Sequence, residues 1–257
     1  MSKNKKIAEI MAGARSTDKT DMMALVKQLC PDFFEMHGDR VAADDPAIIA
    51  GLATINGRAV AVIATNKGQD LDTRMATNFG SPTPQGYRKA LRVMKTAQAL
   101  NLPIITLINT PGAYPGATAE ASGQGQILAK NISEMLQLTV PLLTIIIGEA
   151  GSGGALALAC SDRVWMLEHS MYTAVSPEGF ASIMYKDGQQ AQKAADVMHI
   201  EPAWLKEHEI VEQVLPERVL ANDAAELKQL IAKQLEDFDQ LSLVELLEQR
   251  QVRYRKF

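Results

Sequence analysis

Residues 142–155 read Leu-Leu-Thr-Ile-Ile-Ile-Gly-Glu-Ala-Gly-Ser-Gly-Gly-Ala, a buried-strand pattern that runs into a cluster of glycines. The stretch Leu142 to Ile147 is almost entirely apolar, which is typical of a strand covered on both faces. The apolar run from Ala155 to Cys160 then predicts a short helix. The amides just before and at the start of that helix are expected to point outward, because backbone N–H groups lack partners at a helix N-terminus.

Two roles are open for this second glycine segment, Gly148 to Ala155. The amides of Gly153, Gly154 and Ala155, with Gly151 and Ser152 beside them, could bind negative charge that develops on a ligand oxygen. Alternatively, the glycines only let the helix pack closely against the sheet. The spelling excludes a dinucleotide-binding fingerprint, because its third glycine is missing, and alanine replaces the first glycine of a nucleophile elbow.

Ser152 also lacks an evident catalytic base. The chain has four histidines, none of which lies in a recognisable triad signature: His37, His169, His199 and His208. We interpret each as a surface or packed histidine, so Ser152 is not predicted to be a nucleophile.

The first glycine segment, Thr110-Pro-Gly-Ala-Tyr-Pro-Gly116, also follows a predicted buried strand, Pro103 to Ile108. Its two Pro–Gly-type breaks hold the backbone in a defined turn and leave room for a flat ligand, although a rigid turn without a ligand is equally compatible. The residues predicted to contact such a ligand are Gly112, Ala113, Tyr114, Pro115 and Gly116. Between the two segments, only Tyr114, Glu120 and Glu149 are candidates for an acid or base.

The remaining pattern predicts one α/β domain over residues 1–257. Residues 1–37 predict a peripheral helical arm, with Asp18 or Thr20 as a helix cap, and residues from about 216 to 257 predict a helical flank. Asn56-Gly57 between two β-rich runs is a strong hairpin signal.

Successive strand and helix patterns predict a mostly parallel sheet. Helices are expected over Gly86 to Leu100 and Ala119 to Leu138, and further strands over Arg163 to Leu167 and Met171 to Val175. The apolar face of the first of these helices comprises Ala90, Leu91, Val93, Met94, Ala97 and Leu100. From Ala181 onward the chain reads as helix throughout.

Composition narrows the function further. The formal net charge is −4, which disfavours nucleic-acid binding. The longest apolar run, Val140 to Ile147, is far shorter than the roughly 20 residues that a membrane-spanning helix needs. Cys30 and Cys160 are interpreted as two buried thiols in a reducing cytoplasm, and no ligand spacing for a metal is present in this chain.

Five ordered segments together resemble the carboxyltransferase alpha-subunit family of bacterial acetyl-CoA carboxylase. Besides the two glycine segments they are Ser176-Pro-Glu-Gly179, His37-Gly-Asp-Arg40 with Asp44-Asp45, and Asn78-Phe-Gly80 leading to Gly86-Tyr-Arg-Lys-Ala-Leu-Arg92. The similarity spans roughly residues 33–215.

The resemblance implies a crotonase-like ββα spiral with helical N- and C-terminal flanks. It also implies carboxyl transfer from carboxybiotin on a separate carrier protein to acetyl-CoA, giving malonyl-CoA for fatty-acid synthesis. The amides of residues 153–155 would stabilise charge on the biotin ureido oxygen, and biotin itself would take the methyl proton. The implied partners are biotin carboxylase and a beta subunit that has a zinc ribbon and a second oxyanion hole. The resemblance also implies an α2β2 assembly within an ATP-dependent complex.

Arg88 and Arg92 lie one helical turn apart and could contact CoA phosphates or an acidic partner, although a solvated helix face is the alternative. Three features depart from the family: Asn109 replaces a usual Asp, Ala121 and Ser122 replace a usual Glu-Arg pair, and Arg15 alone remains of an N-terminal arginine element. A hydratase or isomerase of the crotonase type, using Glu120 and Glu149, and an inactive scaffold subunit are therefore kept as alternatives.

Overall fold

The computed structural model describes residues 3–17 and 19–256, so the expectation that Asp18 caps a helix lies outside the described residues. In chain order the helices and strands are α1 (Lys3–Arg15), α2 (Met22–Leu29), β1 (Phe34–Glu35), β2 (Ile48–Ile55), β3 (Arg58–Thr65), α3 (Leu71–Ala76), α4 (Pro84–Ala99), β4 (Ile104–Thr110), α5 (Ala117–Ala121), α6 (Gln124–Gln137), β5 (Leu142–Gly151), α7 (Ser152–Ala159), β6 (Arg163–Leu167), β7 (Met171–Thr173), α8 (Pro177–Tyr185), α9 (Ala191–Val197), α10 (Pro202–Glu207), β8 (Gln213–Leu215), α11 (Ala221–Asp239) and α12 (Leu243–Tyr254).

The described strands form one mixed sheet in the order β1-β2-β3-β4-β5-β6-β8, with β7 paired to the end of β5. The first three strands are antiparallel, and the path from β3 to β8 is parallel. The predicted hairpin is confirmed: Asn56 and Gly57 have φ of 50° and 80°, which matches the twist of a two-residue turn. Because β4 and β5 run in parallel, the glycine segments that follow them lie at one edge of the sheet.

Every residue of β4 and β5 is buried, because helices cover both faces of the sheet. Helices α4, α6 and α7 pack on one face, and α2 and α11 pack on the other. As predicted, α4 buries Ala90, Leu91, Val93, Met94 and Ala97. Leu100 is a wrong prediction, since it is the cap residue that ends α4 and is 56% exposed.

The prediction of a single helix over Ala119 to Leu138 is wrong. Gly123 has a φ of 86°, a left-handed conformation that breaks the segment into α5 and α6. Strand β8 was also missed, because three residues give too short a pattern to stand out among helices. It extends the parallel sheet beyond β6.

The predicted N-terminal arm is helical but not peripheral. The expectation that Thr20 caps a helix here is wrong: α2 is capped by Asp21, whose side chain accepts from the amides of Met23 and Ala24. Its apolar side chains lie in the main core, and Ile7, Ile10 and Ala14 of α1 are buried in a smaller cluster with Met171. Residues 34–35 of the arm form β1.

The C-terminal flank consists of α11 and α12, as predicted in kind. Arg250 of α12 is 1% exposed, and its guanidinium pairs with the equally buried carboxylate of Asp162 at 2.7 Å. It also donates to the carbonyls of Met135, Leu138 and Val140. One side chain thus joins the last helix to the segments on either side of β5. Among the described helices, none combines the length and apolar character needed to cross a bilayer.

Candidate functional site

The two glycine segments contact each other backbone to backbone. A Cβ built on Gly154 would lie 2.2 Å from the amide nitrogen of Ala113, and one on Gly151 would lie 2.1 Å from the carbonyl oxygen of Pro111. Both distances are far below van der Waals contact, so no larger residue fits at either position. The packing role that the sequence left open is therefore present at Gly151 and Gly154.

Gly153 has different surroundings. A Cβ at this position would meet no atom within 4 Å, and the residue is partly exposed. Strand β5 continues to Gly151 and α7 begins at Ser152, three residues earlier than predicted. The amides of residues 152–154 therefore belong to the first turn of α7, and Ala155, which follows them, is fully buried.

Ser152 makes the sharp change from strand to helix. It has a φ of 55°, unusual for a residue with a side chain, and it is exposed. Among the described residues no histidine bonds to it: His37 pairs with Asp44, while His199 and His208 stack on the ring of Trp204. Ser152 thus has no histidine partner within the described residues, and its not being a nucleophile stays a prediction.

A cavity of about 760 Å³ lies beside Ser152 and Gly153, a size that suits a small-molecule ligand. Its other lining residues come from α7, from β7 and the turn after it, and from residues 180–210: Leu156, Tyr172, Thr173, Ala174, Val175, Phe180, Met198, Trp204, Leu205 and Ile210. Burial raises the pKa of the Tyr172 phenol, which keeps it protonated. The cavity is therefore largely apolar, with helix-start amides at one side.

Four charged side chains form a network next to this cavity. Arg15 donates from Nε to Glu149 at 2.7 Å and from its two terminal nitrogens to Glu178 at 2.6 and 2.9 Å. Lys67 contacts the other oxygen of Glu149 at 2.5 Å. The Arg15 hydrogen bond holds the pKa of Glu178 below its ordinary value. Both oxygens of the Glu149 carboxylate are therefore occupied by cations.

Asn109 lies within the same region and is 6% exposed. Its side-chain oxygen accepts from the backbone amide of Glu149 at 3.1 Å. The backbone amide of Asn109 donates to the hydroxyl of Thr65 at 2.6 Å. The oxygen of this neutral side chain thus bonds to the backbone of Glu149. It holds the backbone of β5 against the end of β4.

The first glycine segment is a rigid turn with a half-buried tyrosine. The hydroxyl of Thr110 donates to the carbonyl of Gly112 and accepts from its amide. The Tyr114 amide donates to the carbonyl of Pro82, and a Cβ on Gly116 would lie 2.3 Å from the Tyr114 ring. Gly116 therefore makes room for that ring, and α5 begins directly after it.

Tyr87 supports the site from behind, a role that sequence reasoning missed. Its hydroxyl is fully buried and donates to the carbonyl of Gly154 at 3.0 Å. Burial raises the pKa of this phenol far above its ordinary value. Tyr87 was visible only as one residue of a helical pattern, since its partner lies 67 positions further along the chain.

Arg88 and Arg92 make contacts within the chain. Arg88 pairs with Asp39 at 2.8 Å, and Arg92 donates to the carbonyls of Met36, His37 and Gly38. These contacts hold the loop between β1 and β2 onto α4. Both arginines therefore serve the fold here, and neither helix face is simply solvated.

Comparisons with known proteins agree with this architecture. A family model described as acetyl co-enzyme A carboxylase carboxyltransferase-like matches residues 2–257. The acetyl-coenzyme A carboxylase carboxyl transferase subunit alpha of Streptococcus sanguinis (strain SK36) is 48% identical over 254 residues, which is 98% of this chain and 99% of that protein. The protein of the same name from Streptococcus thermophilus (strain ATCC BAA-491 / LMD-9) is 47% identical over 253 residues, with the same two coverages.

Solved structures add the fold. The transcarboxylase 12S structure has a TM-score of 0.74 at 18% identity and covers 92% of this chain and 45% of its own. The Pseudomonas malonate decarboxylase MdcD-MdcE hetero-dimer has a TM-score of 0.66 at 18% identity, covering 83% and 88%. The predicted crotonase-like α/β fold is confirmed. Because the family model and the relatives match almost the whole length, the chain belongs to the acetyl co-enzyme A carboxylase carboxyltransferase-like family.

Proposed function

We propose that this chain is the alpha-type carboxyltransferase subunit of an acetyl-CoA carboxylase, active with a beta subunit and forming malonyl-CoA from acetyl-CoA in fatty-acid synthesis. The names of its close relatives support this reading. The observation that carries it is the open space at the Cβ position of Gly153, which lies in the first turn of α7 and beside a mostly apolar cavity.

The cavity fits a biotin group in chemical terms. Apolar walls suit its ring and chain, and the absent Cβ at Gly153 leaves room for an oxygen to approach the first-turn amides. Biotin, carried by a separate carrier protein, would supply the carboxyl group and take the proton from the acetyl methyl. The amides of Gly153, Gly154 and Ala155 would donate to the ureido oxygen as that oxygen gains charge. Gly151, Ser152 and residues 112–116 are proposed to contact the biotin group, and the backbone of residues 111–113 supports this helix start.

The contacts of the nearby carboxylates support carboxyl transfer over hydration. A hydratase needs carboxylates free to give and take protons, yet both oxygens of Glu149 accept from cations. Glu120 lies on the exposed face of α5. Backbone amides need no change of protonation state, so carboxyl transfer can proceed without a side-chain base in this chain.

The proposal includes several partners. A zinc-containing beta subunit supplies the second oxyanion hole for the thioester, and the biotin carrier protein and biotin carboxylase complete an ATP-dependent, cytoplasmic complex. An α2β2 carboxyltransferase core is the expected assembly. Within the described residues, no group of three or more His, Cys, Asp or Glu is placed to bind a metal.

One assay tests the proposed function. The chain is purified alone and with its beta subunit, and carboxylation of a biotin analogue by malonyl-CoA is followed, together with hydration of an enoyl-CoA. Turnover by the complex and none by the single chain is expected. Hydration by the single chain would favour the crotonase-type alternative, and an assembled but inactive complex would contradict the catalytic role.

A further inference from the structure

Arg15 lies at the site because it ends a helix, α1, that is packed against the rest of the fold. It is the last residue of α1, whose apolar side chains are buried against β7 and the segment around α9: Ile7, Ile10 and Ala14 contact the cluster of Met171, Ala195 and Ile200. At Gly13 an added Cβ would lie 2.7 Å from the Cβ of His169, so α1 lies close against the turn before β7. The position of the arginine is thus fixed by packing.

All three nitrogens of the Arg15 guanidinium are used inside the chain. Nε bonds to Glu149 near the end of β5, and the two terminal nitrogens form a fork on Glu178 in the first turn of α8. Arg15, Glu149 and Ser152 line a small cavity of about 100 Å³, and Pro177, the residue before Glu178, lines it as well. Arg15 therefore lies beside the cavity, and each of its three guanidinium nitrogens already donates to a carboxylate of this chain.

The end of β5 has fewer strand partners than its start. Residues 143–146 pair with β4 on one side and with β6 on the other. Residues 149–151 pair only with the three residues of β7, apart from the contact of Ala150 with Thr110. Arg15 Nε and Lys67 thus hold the Glu149 side chain where the strand ladder is shortest, immediately before the turn at Ser152. Two cations and two carboxylates balance in charge.

We propose that Arg15 is a positioning residue that sets the direction of the Ser152–Gly154 amides by tying Glu149 to Glu178. This inference rests on the proposed carboxyl transfer for its kinetic consequence. Arg15 itself contacts no reacting atom. Its loss should loosen the end of β5 and misplace the oxyanion-binding amides while the rest of the fold stays intact.

The test compares Arg15→Met and Arg15→Lys with a matched control, Arg58→Met. Arg58 also forms a two-nitrogen pair with a carboxylate, Asp239, at 2.5 and 2.7 Å, and it is 32% exposed against 33% for Arg15. It lies at the start of β3, whereas the site lies at the carboxyl ends of the parallel strands. Kinetics of the assembled complex and hydrogen exchange at residues 149–151 and 171–173 are measured.

We expect Arg15→Met to lower kcat/KM for the biotin analogue about tenfold with the KM for malonyl-CoA unchanged, because only the biotin-side amides are displaced. Exchange at residues 149–151 should quicken. Arg15→Lys should recover part of the activity, and Arg58→Met should change neither readout. Equal behaviour of Arg15→Met and Arg58→Met would overturn the inference.

Two further outcomes remain decisive. If Arg15→Met does not fold, Glu178→Gln breaks the fork from its more exposed end, and wild-type kinetics and exchange in that variant would overturn the inference. If the wild-type complex proves inactive, the proposed function fails separately. The exchange measurement then decides alone, since unchanged protection at residues 149–151 in Arg15→Met would contradict a positioning role.

Discussion

The buried hydroxyl of Tyr87 donates to the carbonyl of Gly154 at 3.0 Å, and it can approach only because Gly154 has no side chain. A Cβ on Gly154 would lie 2.7 Å from that hydroxyl oxygen. Helix α4 and the start of α7 are therefore joined at one point. The second glycine segment is positioned from behind by α4 and from the front by the first glycine segment.

Tyr87→Phe should lower the free energy of unfolding by about 1 kcal/mol, because it removes one buried hydrogen bond and keeps the ring packing. Urea denaturation measures this directly. A matched surface change, Tyr185→Phe, should have little effect, since Tyr185 is only partly buried. An unchanged stability in Tyr87→Phe would show that the Gly154 carbonyl needs no such donor.

Replacement by alanine should affect the stability of the fold much less at Gly153 than at Gly154. Gly153→Ala should change the free energy of unfolding by no more than about 0.5 kcal/mol, because its Cβ enters open space. Gly154→Ala should destabilise by about 1–3 kcal/mol, because its Cβ meets the backbone of residues 112–113. Thermal unfolding of the pair tests this, and equal effects would contradict the geometry.

Arg250→Met should destabilise the chain by about 3–5 kcal/mol, because it leaves the buried Asp162 carboxylate without its cation. The control is Arg218→Met, which breaks the exposed pair with Glu226 and should cost less than about 1 kcal/mol. Chemical denaturation separates the two. A small effect at Arg250 would mean that α12 is held by its apolar contacts alone.

Acid should weaken the loop between β1 and β2. Burial opposes ionisation of Asp39, but the amides of residues 41–43 and the Arg88 pair outweigh it and lower its pKa to about 2. Because the folded-state pKa is depressed, this carboxylate stabilises the fold above its unfolded pKa of about 4, and the contribution is lost as pH falls from there to about 2. Asp39→Asn should lower Tm at pH 7 and flatten its fall between pH 5 and pH 2.5. The exposed Asp72→Asn serves as control, and parallel Tm curves for wild type and Asp39→Asn would contradict the assignment.

Local patterns predicted much of the fold. The Asn56-Gly57 hairpin, the buried strands β4 and β5, and the apolar face of α4 all follow from turn chemistry and periodicity within short windows. The misses share a cause. Gly123 breaks a helix through its backbone conformation, and β8 becomes a strand only because β6 offers a free edge.

The sequence predicted where the site lies but not which of its residues pack against the fold and which face open space. The glycine spelling gave the same expectation for residues 151, 153 and 154, yet only the folded chain separates packing at Gly151 and Gly154 from open space at Gly153. Arg15, Lys67 and Tyr87 act on residues 67–163 positions away, and no sequence window contains both partners.

The most direct test of the central claim is the turnover of Gly153→Val in the assembled alpha–beta complex. The valine Cβ enters open space, so folding and assembly should survive, while its methyl groups cover the first-turn amides. Carboxylation of a biotin analogue by malonyl-CoA is measured against the wild-type complex, with assembly checked by size exclusion. We expect a loss of kcat of about 100-fold or more in an intact complex. Wild-type kcat in that complex would contradict it.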